Sequence, residues 1–203
     1  MSKFNLKTGD ILLFDYGGGG IMGCCSCLIK SLTRSNISHV CMVLKDPVFI
    51  HPYLKGYYVW ESNWEGTLDP QDDKLKFGVQ LTSLETILQN YRKKNSIVYV
   101  RRISCDPEMF CAKNLEAIHK VVYDKIYDIN PIDWINAIER KDNEPQKTDR
   151  FWCSALVGYI YTKCGLLNKD TDWSILRPSD FSQKYNNQLE FLDNITLGKQ
   201  TIL

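Results

Sequence analysis

Little in this chain would tie it to a charged partner or a lipid bilayer. Over 203 residues, 25 Lys and Arg stand against 24 Asp and Glu, for a net charge of +1. That balance removes the basic field by which proteins gather nucleic acid, so no nucleic-acid partner is expected. The pairs Lys93-Lys94 and Arg101-Arg102 are too short to form a stripe and read as solvated surface. No window reaches the roughly 18 apolar residues of a membrane span. A transmembrane segment is therefore not expected, while peripheral membrane contact stays open. Residues Met1 to Asn5 lack a signal-peptide core, which makes the cytoplasm the expected location. The sequence has no internal repeat and no low-complexity segment, and its three His limit the candidate bases.

Eight Cys are present. The chain is long enough to bury a core without a disulfide framework, and in a reducing compartment these thiols stay free. Cys24 and Cys27 form one C-x-x-C, with Cys25 between them, but no second pair stands at a zinc-site distance. Half a zinc pattern points as well to small apolar residues on a helix. No metal and no organic cofactor is expected.

The chain reads as one α+β domain over residues 1–203, because strand patterns concentrate in 10–103 and long helical patterns follow 105. Short apolar runs at Ile11–Phe14, His39–Leu44, Tyr57–Asn63 and Ser96–Ile103 predict strands, and Gly78–Leu81 predicts a shorter extended piece. A helix is expected from Ile21 to Thr33, after the flexible loop Gly17–Gly20. A second helix should open at a capping box, Thr82-Ser83-Leu84-Glu85, and run to about Lys93. Asp106-Pro107 starts a third, to about Lys125. Ile132–Arg140 predicts a shorter one, 141–149 a polar loop, and Arg177-Pro178-Ser179-Asp180-Phe181 a last short helix before an irregular end.

The chemistry centres on Cys153. Asp149 is placed to cap a helix whose apolar run, Ala155 to Tyr161, ends at Gly165. A thiol in the first turn faces unpaired N–H groups and the positive end of the helix dipole, and both favour the thiolate. His39 opens an apolar strand and is the candidate base. Glu61, on the next predicted strand, is the candidate third member that orients the imidazole. Alternation puts Glu61 and Asn63 on one face and Trp60 and Ser62 on the other. An acid facing a core needs a partner, and His39 would be that partner. Asn63 shares the face and could serve instead, because a neutral amide can also orient a His. Tyr16 could line the cleft or donate to an oxyanion, or simply pack. The Cys153 backbone N–H is a further oxyanion donor. His51, before Pro52, reads as a loop residue, and His119 as a half-exposed helix residue.

Taken in order, Leu6-Lys7-Thr8-Gly9-Asp10-Ile11-Leu12, Ser38-His39-Val40, Glu61 and Phe151-Trp152-Cys153-Ser154-Ala155-Leu156-Val157 resemble the circularly permuted branch of the NlpC-type papain-like superfamily. That branch includes bacterial YiiX-like proteins and poxvirus relatives, with lecithin:retinol acyltransferase a more distant cousin. The resemblance covers residues 6–182, including Tyr127-Asp128 and the Arg177–Phe181 segment, and it makes 105–149 a helical and loop insertion. It implies a small antiparallel barrel-like sheet packed against the Cys helix. It also implies a cysteine hydrolase or acyltransferase acting on an amide or ester bond, with Cys153 as nucleophile, His39 as base and Glu61 as orienting acid. The substrate would be a small molecule, a peptide or a lipid-like acyl compound; the Gly17–Gly20 loop and the apolar helix after it could cover an acyl chain, or that helix could simply pack. The rival reading is a catalytically silent papain-like fold with a binding or structural role, for instance in a virion. Lys outnumbers Arg and Asn is frequent, a composition of AT-rich coding such as that of some large DNA viruses. A viral source would place the protein in host cytoplasm or the particle.

Overall fold

The structure, a computed structural model, describes residues 5–18, 30, 31, 33–129, 139, 140, 146–192 and 194–203. The expected helices over Ile21–Thr33 and Ile132–Arg140, the C-x-x-C and the second half of the glycine loop lie largely or wholly outside the described residues.

The strand expectations locate the main sheet. β1 (Ile11–Asp15), β2 (His39–Lys45) and β3 (Tyr57–Asn63) form where the β-branched and aromatic runs were read. A small hairpin, β4 (Leu68–Asp69) with β5 (Lys74–Leu75), leads into β6 (Gly78–Ser83). Helix α1 (Leu84–Lys93) follows, then β7 (Ile97–Arg101) and β8 (Ile103–Ser104). A 3-10 turn over Pro107–Phe110 precedes α2 (Ala112–Val122). β9 (Ile126–Tyr127), β10 (Arg150–Phe151), α3 (Cys153–Lys163), β11 (Thr196–Leu197) and β12 (Thr201–Ile202) follow, with 3-10 turns at Trp173–Ile175, Pro178–Phe181 and Gln183–Gln188 between α3 and β11. The result is a mixed α+β fold around a curled, eight-stranded half-barrel sheet of order β10-β9-β6-β3-β2-β1-β7-β12. Its central pairs are antiparallel, and β9 and β10 run parallel.

Alternation along the strands sorts the core into two layers. Leu12, Phe14, Cys41, Val43, Val59, Val98 and Val100 pack with Leu84, Ile87, Leu88 and Tyr91 of α1. Ile11, Leu13, Val40, Met42, Trp60, Val79 and Leu81 pack with α2 and α3 on the other face. The α2 residues Leu115, Ile118 and Val122 are buried in that second layer, and β9 is a strand of the main sheet. The described part of the expected insertion therefore supplies both core and sheet. Helix α3 has no polar side: Cys153 to Thr162 are all buried. β9 can dock because Gly78 sits at φ 151°, where an added Cβ would meet the Lys125 carbonyl at 2.1 Å.

Several local expectations are corrected. The cap of α1 is Ser83, whose hydroxyl accepts from the Thr86 N–H, so the cap lies one residue later than the expected Thr82 and the reciprocal bond of a capping box is not formed. β6 takes Thr82 for the sheet, which shifts the start of the helix. Helix α2 stops at Val122 rather than Lys125, because Asp124 turns the chain at φ 58° into β9. The chain end is not irregular: β12 pairs with β7 and β11 with β8. Arg101 is not solvated surface but 1% exposed. Its guanidinium donates to the carbonyls of Phe181, Leu197 and Gly198 and to Asn186 Oδ1, at 2.6–2.9 Å. As the last residue of β7 it points under the C-terminal segment, and those acceptors replace its water.

Candidate functional site

Cys153 is the first residue of α3, as the sequence placed it, but Asp149 does not cap the helix. Residues 150 and 151 join β9 as a parallel strand, which makes Trp152 the N-cap, without a side-chain cap bond. Asp149 stays exposed and accepts from Arg150. The turn is fixed from its flanks instead. Trp152 Nε1 donates to the Leu176 carbonyl at 3.1 Å and Ser154 Oγ to the same carbonyl at 2.7 Å. Ser62 Oγ donates to the Phe151 carbonyl at 2.6 Å, tying the strand before the thiol to β3. The buried Asp180 holds its own 3-10 turn by accepting from the Arg177 N–H, and it accepts also from Arg140.

His39 is the first residue of β2 and is 7% exposed. Its Nε2 lies 2.9 Å from Glu61 Oε2. A side-chain hydrogen bond also joins the ring to Cys153, and Nδ1 is the nitrogen left for it. Phe14 and Tyr91 flank the ring on the α1 side, with Tyr91 nearly parallel to it at a centroid distance of 6.4 Å. The imidazole thus meets the α1 layer through its face and α3 through the thiol. Burial pushes the His39 imidazolium toward deprotonation. The charge and hydrogen bond of Cys153, and then those of Glu61, outweigh that and raise it to about 10.

Glu61 is fully buried, and its other oxygen accepts from Thr82 Oγ1 at 2.7 Å. One carboxylate oxygen therefore faces the ring and the other is fixed to β6, which sets the plane in which the imidazole can sit. Asn63 does not orient His39. Its amide donates to Glu65 Oε1 at 2.7 Å and also hydrogen-bonds Tyr91. Tyr16 is half-buried, edge-on to Tyr91 at 5.8 Å with Lys94 over its ring. It stands one aromatic ring away from His39. His51 is exposed against Tyr53, and His119 is half-buried with Nε2 at 2.7 Å from Gln71 Oε1.

Thr82, Glu65 and Tyr91 were missed from sequence. Thr82 had a signal: it stands two residues from Gln80, the cross-strand partner of Glu61, on the same face. Thr82→Val keeps the shape and removes the donor to a buried carboxylate. It is expected to cost about 1.5–3 kcal/mol, read as a lower midpoint in urea at unchanged slope. An unchanged midpoint would show that the hydroxyl does not support Glu61.

Burial raises Cys41 and Cys105, and it takes Cys164 to about 12, so these stay as thiols at neutral pH. Among the described residues no cluster of His, Cys, Asp and Glu is arranged to hold a metal ion, and no helix is long and apolar enough to cross a membrane. No protein-family model matches this chain, and no curated protein does.

Proposed function

We propose that this chain is a cysteine hydrolase or acyltransferase of the permuted papain-like kind, acting on an amide or ester bond. The observation that carries the reading is the His39 ring held between the Glu61 carboxylate and the Cys153 thiol. His39 takes the thiol proton, and the thiolate forms a bond to the substrate carbonyl carbon. The tetrahedral adduct collapses to a thioester as the leaving group departs with the His39 proton. Water or another acceptor, deprotonated by His39, then attacks the thioester and frees Cys153. Glu61 holds the ring orientation and stabilises the imidazolium between these transfers.

A virion or binding role for a silent fold is supported by a different observation: Cys153 is only 3% exposed. An acyl substrate, a peptide or another small carbonyl compound would need Cys153 to become more accessible than this. Acyl esters of increasing chain length, assayed with wild type and Cys153→Ala, separate the readings. The expected result is turnover that needs Cys153 and rises with chain length, with an acyl adduct on Cys153 by intact mass. Cys153-dependent turnover confined to short peptides would make the protein a peptidase or amidase. No Cys153-dependent turnover and no adduct would leave the silent fold.

A further inference from the structure

A second carboxyl group lies within electrostatic reach of Glu61. Glu65 lies in the loop after β3, and each of its oxygens accepts from a side-chain amide: Oε1 from Asn63 at 2.7 Å and Oε2 from Asn90 of α1 at 3.2 Å. Asn63 also hydrogen-bonds Tyr91, the ring parallel to His39. A chain of polar contacts therefore runs from Asn90 through Glu65 and Asn63 to Tyr91, alongside the His39–Glu61 pair.

We propose that Glu65 is a positioning residue of the Cys153 site, a carboxyl whose gain or loss of a proton beside Glu61 retunes the His39–Cys153 pair. The proposal rests on the reading of Cys153 as nucleophile. The groups that face Glu65 come from each element packed on it. Glu61 comes from β3, His39 and Cys41 from β2, Tyr91 from α1, and Lys94 from the end of α1. Two carboxylates in one half-buried site cannot both ionise freely. Burial, then the Glu61 charge, raise Glu65 to about 7, against the Asn90 hydrogen bond and the charges of His39 and Lys94. Glu61 is held by His39 and Thr82, and Glu65 is a carboxyl that changes state near neutrality. Its ionised form adds negative charge next to the imidazolium and holds His39 protonated to higher pH. The same charge makes the thiolate more basic and so a stronger nucleophile.

The test follows two signals from pH 5 to 9: the His39 ring resonance by NMR, and the rate of Cys153 alkylation by iodoacetamide. In wild type both should step near pH 7. Rate follows thiol basicity with an exponent of about 0.4–0.5, so the alkylation rate should rise through the step by less than the change in basicity itself. Glu65→Gln should abolish both steps. Asn90→Ala, which removes a donor that favours the ionised form, should move them to higher pH, and it decides the matter should Glu65→Gln fail to fold. Steps unmoved in the folded variants would overturn the proposal. Failure of Cys153 to be labelled at all would instead remove the nucleophile reading, and the His39 resonance would still report on Glu65.

Discussion

Replacing His39 by Ala should lower the rate of Cys153 alkylation at pH 6.5 by about tenfold or more, because the thiol loses the hydrogen-bonded imidazolium that favours its reactive thiolate form. The wild-type thiol has an imidazolium partner, and the imidazolium is held in turn by Glu61 at 2.9 Å. The sign of the pH dependence follows. His39 is raised from its ordinary 6.5 to about 10, so the stabilisation it gains in the folded state is fully present below pH 6.5. It is lost as pH rises from there toward 10. Wild type should therefore lose thermal stability across that range, and His39→Ala should lose less. Any carbonyl-transfer activity should fall by three or more orders of magnitude in the same variant, since triad members act as a unit. Peptide mapping after limiting iodoacetamide supplies the check. Labelling of Cys41, Cys105 or Cys164 ahead of Cys153 in wild type would contradict the assignment, and an equal Cys153 rate in the two proteins would remove His39 from the role.

The largest expected loss of stability is at Arg101. Arg101→Met keeps an unbranched stem and removes four hydrogen bonds, leaving the carbonyls of Phe181, Leu197 and Gly198 without that donor. Each buried acceptor left unsatisfied costs about 1–3 kcal/mol, so about 3–5 kcal/mol in total is a fair expectation after local relaxation. At about 2–4 °C per kcal/mol for a domain of this size, the melting temperature should fall by roughly 6–20 °C. The strand β12 and the 182–188 segment should lose amide protection before the rest of the sheet. A melting temperature within about 2 °C of wild type would mean that water satisfies these carbonyls as well as the guanidinium does.

What could be read in advance was local. Strand patterns gave β1, β2, β3 and β7 because a period of two needs only neighbours in sequence. The same alternation put Glu61 opposite the face of Trp60, which left His39 as its natural partner. What failed depended on pairing across the fold. Thr82 looked like a cap because Ser, Thr and Glu stood at cap spacing, yet the register with β3 takes it for Glu61. Arg101 looked like half of a surface pair because nothing nearby in sequence announces four acceptors from residues 181–198. Asp149 looked like a cap because the two-residue strand after it has no pattern long enough to detect. Glu65 and Tyr91 gave no signal at all, since a loop acid and a helix tyrosine acquire meaning only from what α1 packs against.

The division of the site between the early sheet and the late helix has a consequence for biosynthesis. His39, Glu61 and Thr82 belong to one antiparallel run, β2-β3-β6, whose pairing needs no residue beyond 83. Cys153 emerges from the ribosome only after that run, α1, β7 and α2 have been made. The nascent sheet can form its imidazole–carboxylate pair while no partner thiol exists. The thiol acquires its neighbour only when α3 docks, a contact of long sequence separation that forms late. Until then Cys153 is an ordinary cysteine. On the reading of Cys153 as nucleophile, maturation and reactivity therefore coincide, and an incomplete chain released before α3 docks holds the imidazole–carboxylate pair without the thiol it would activate.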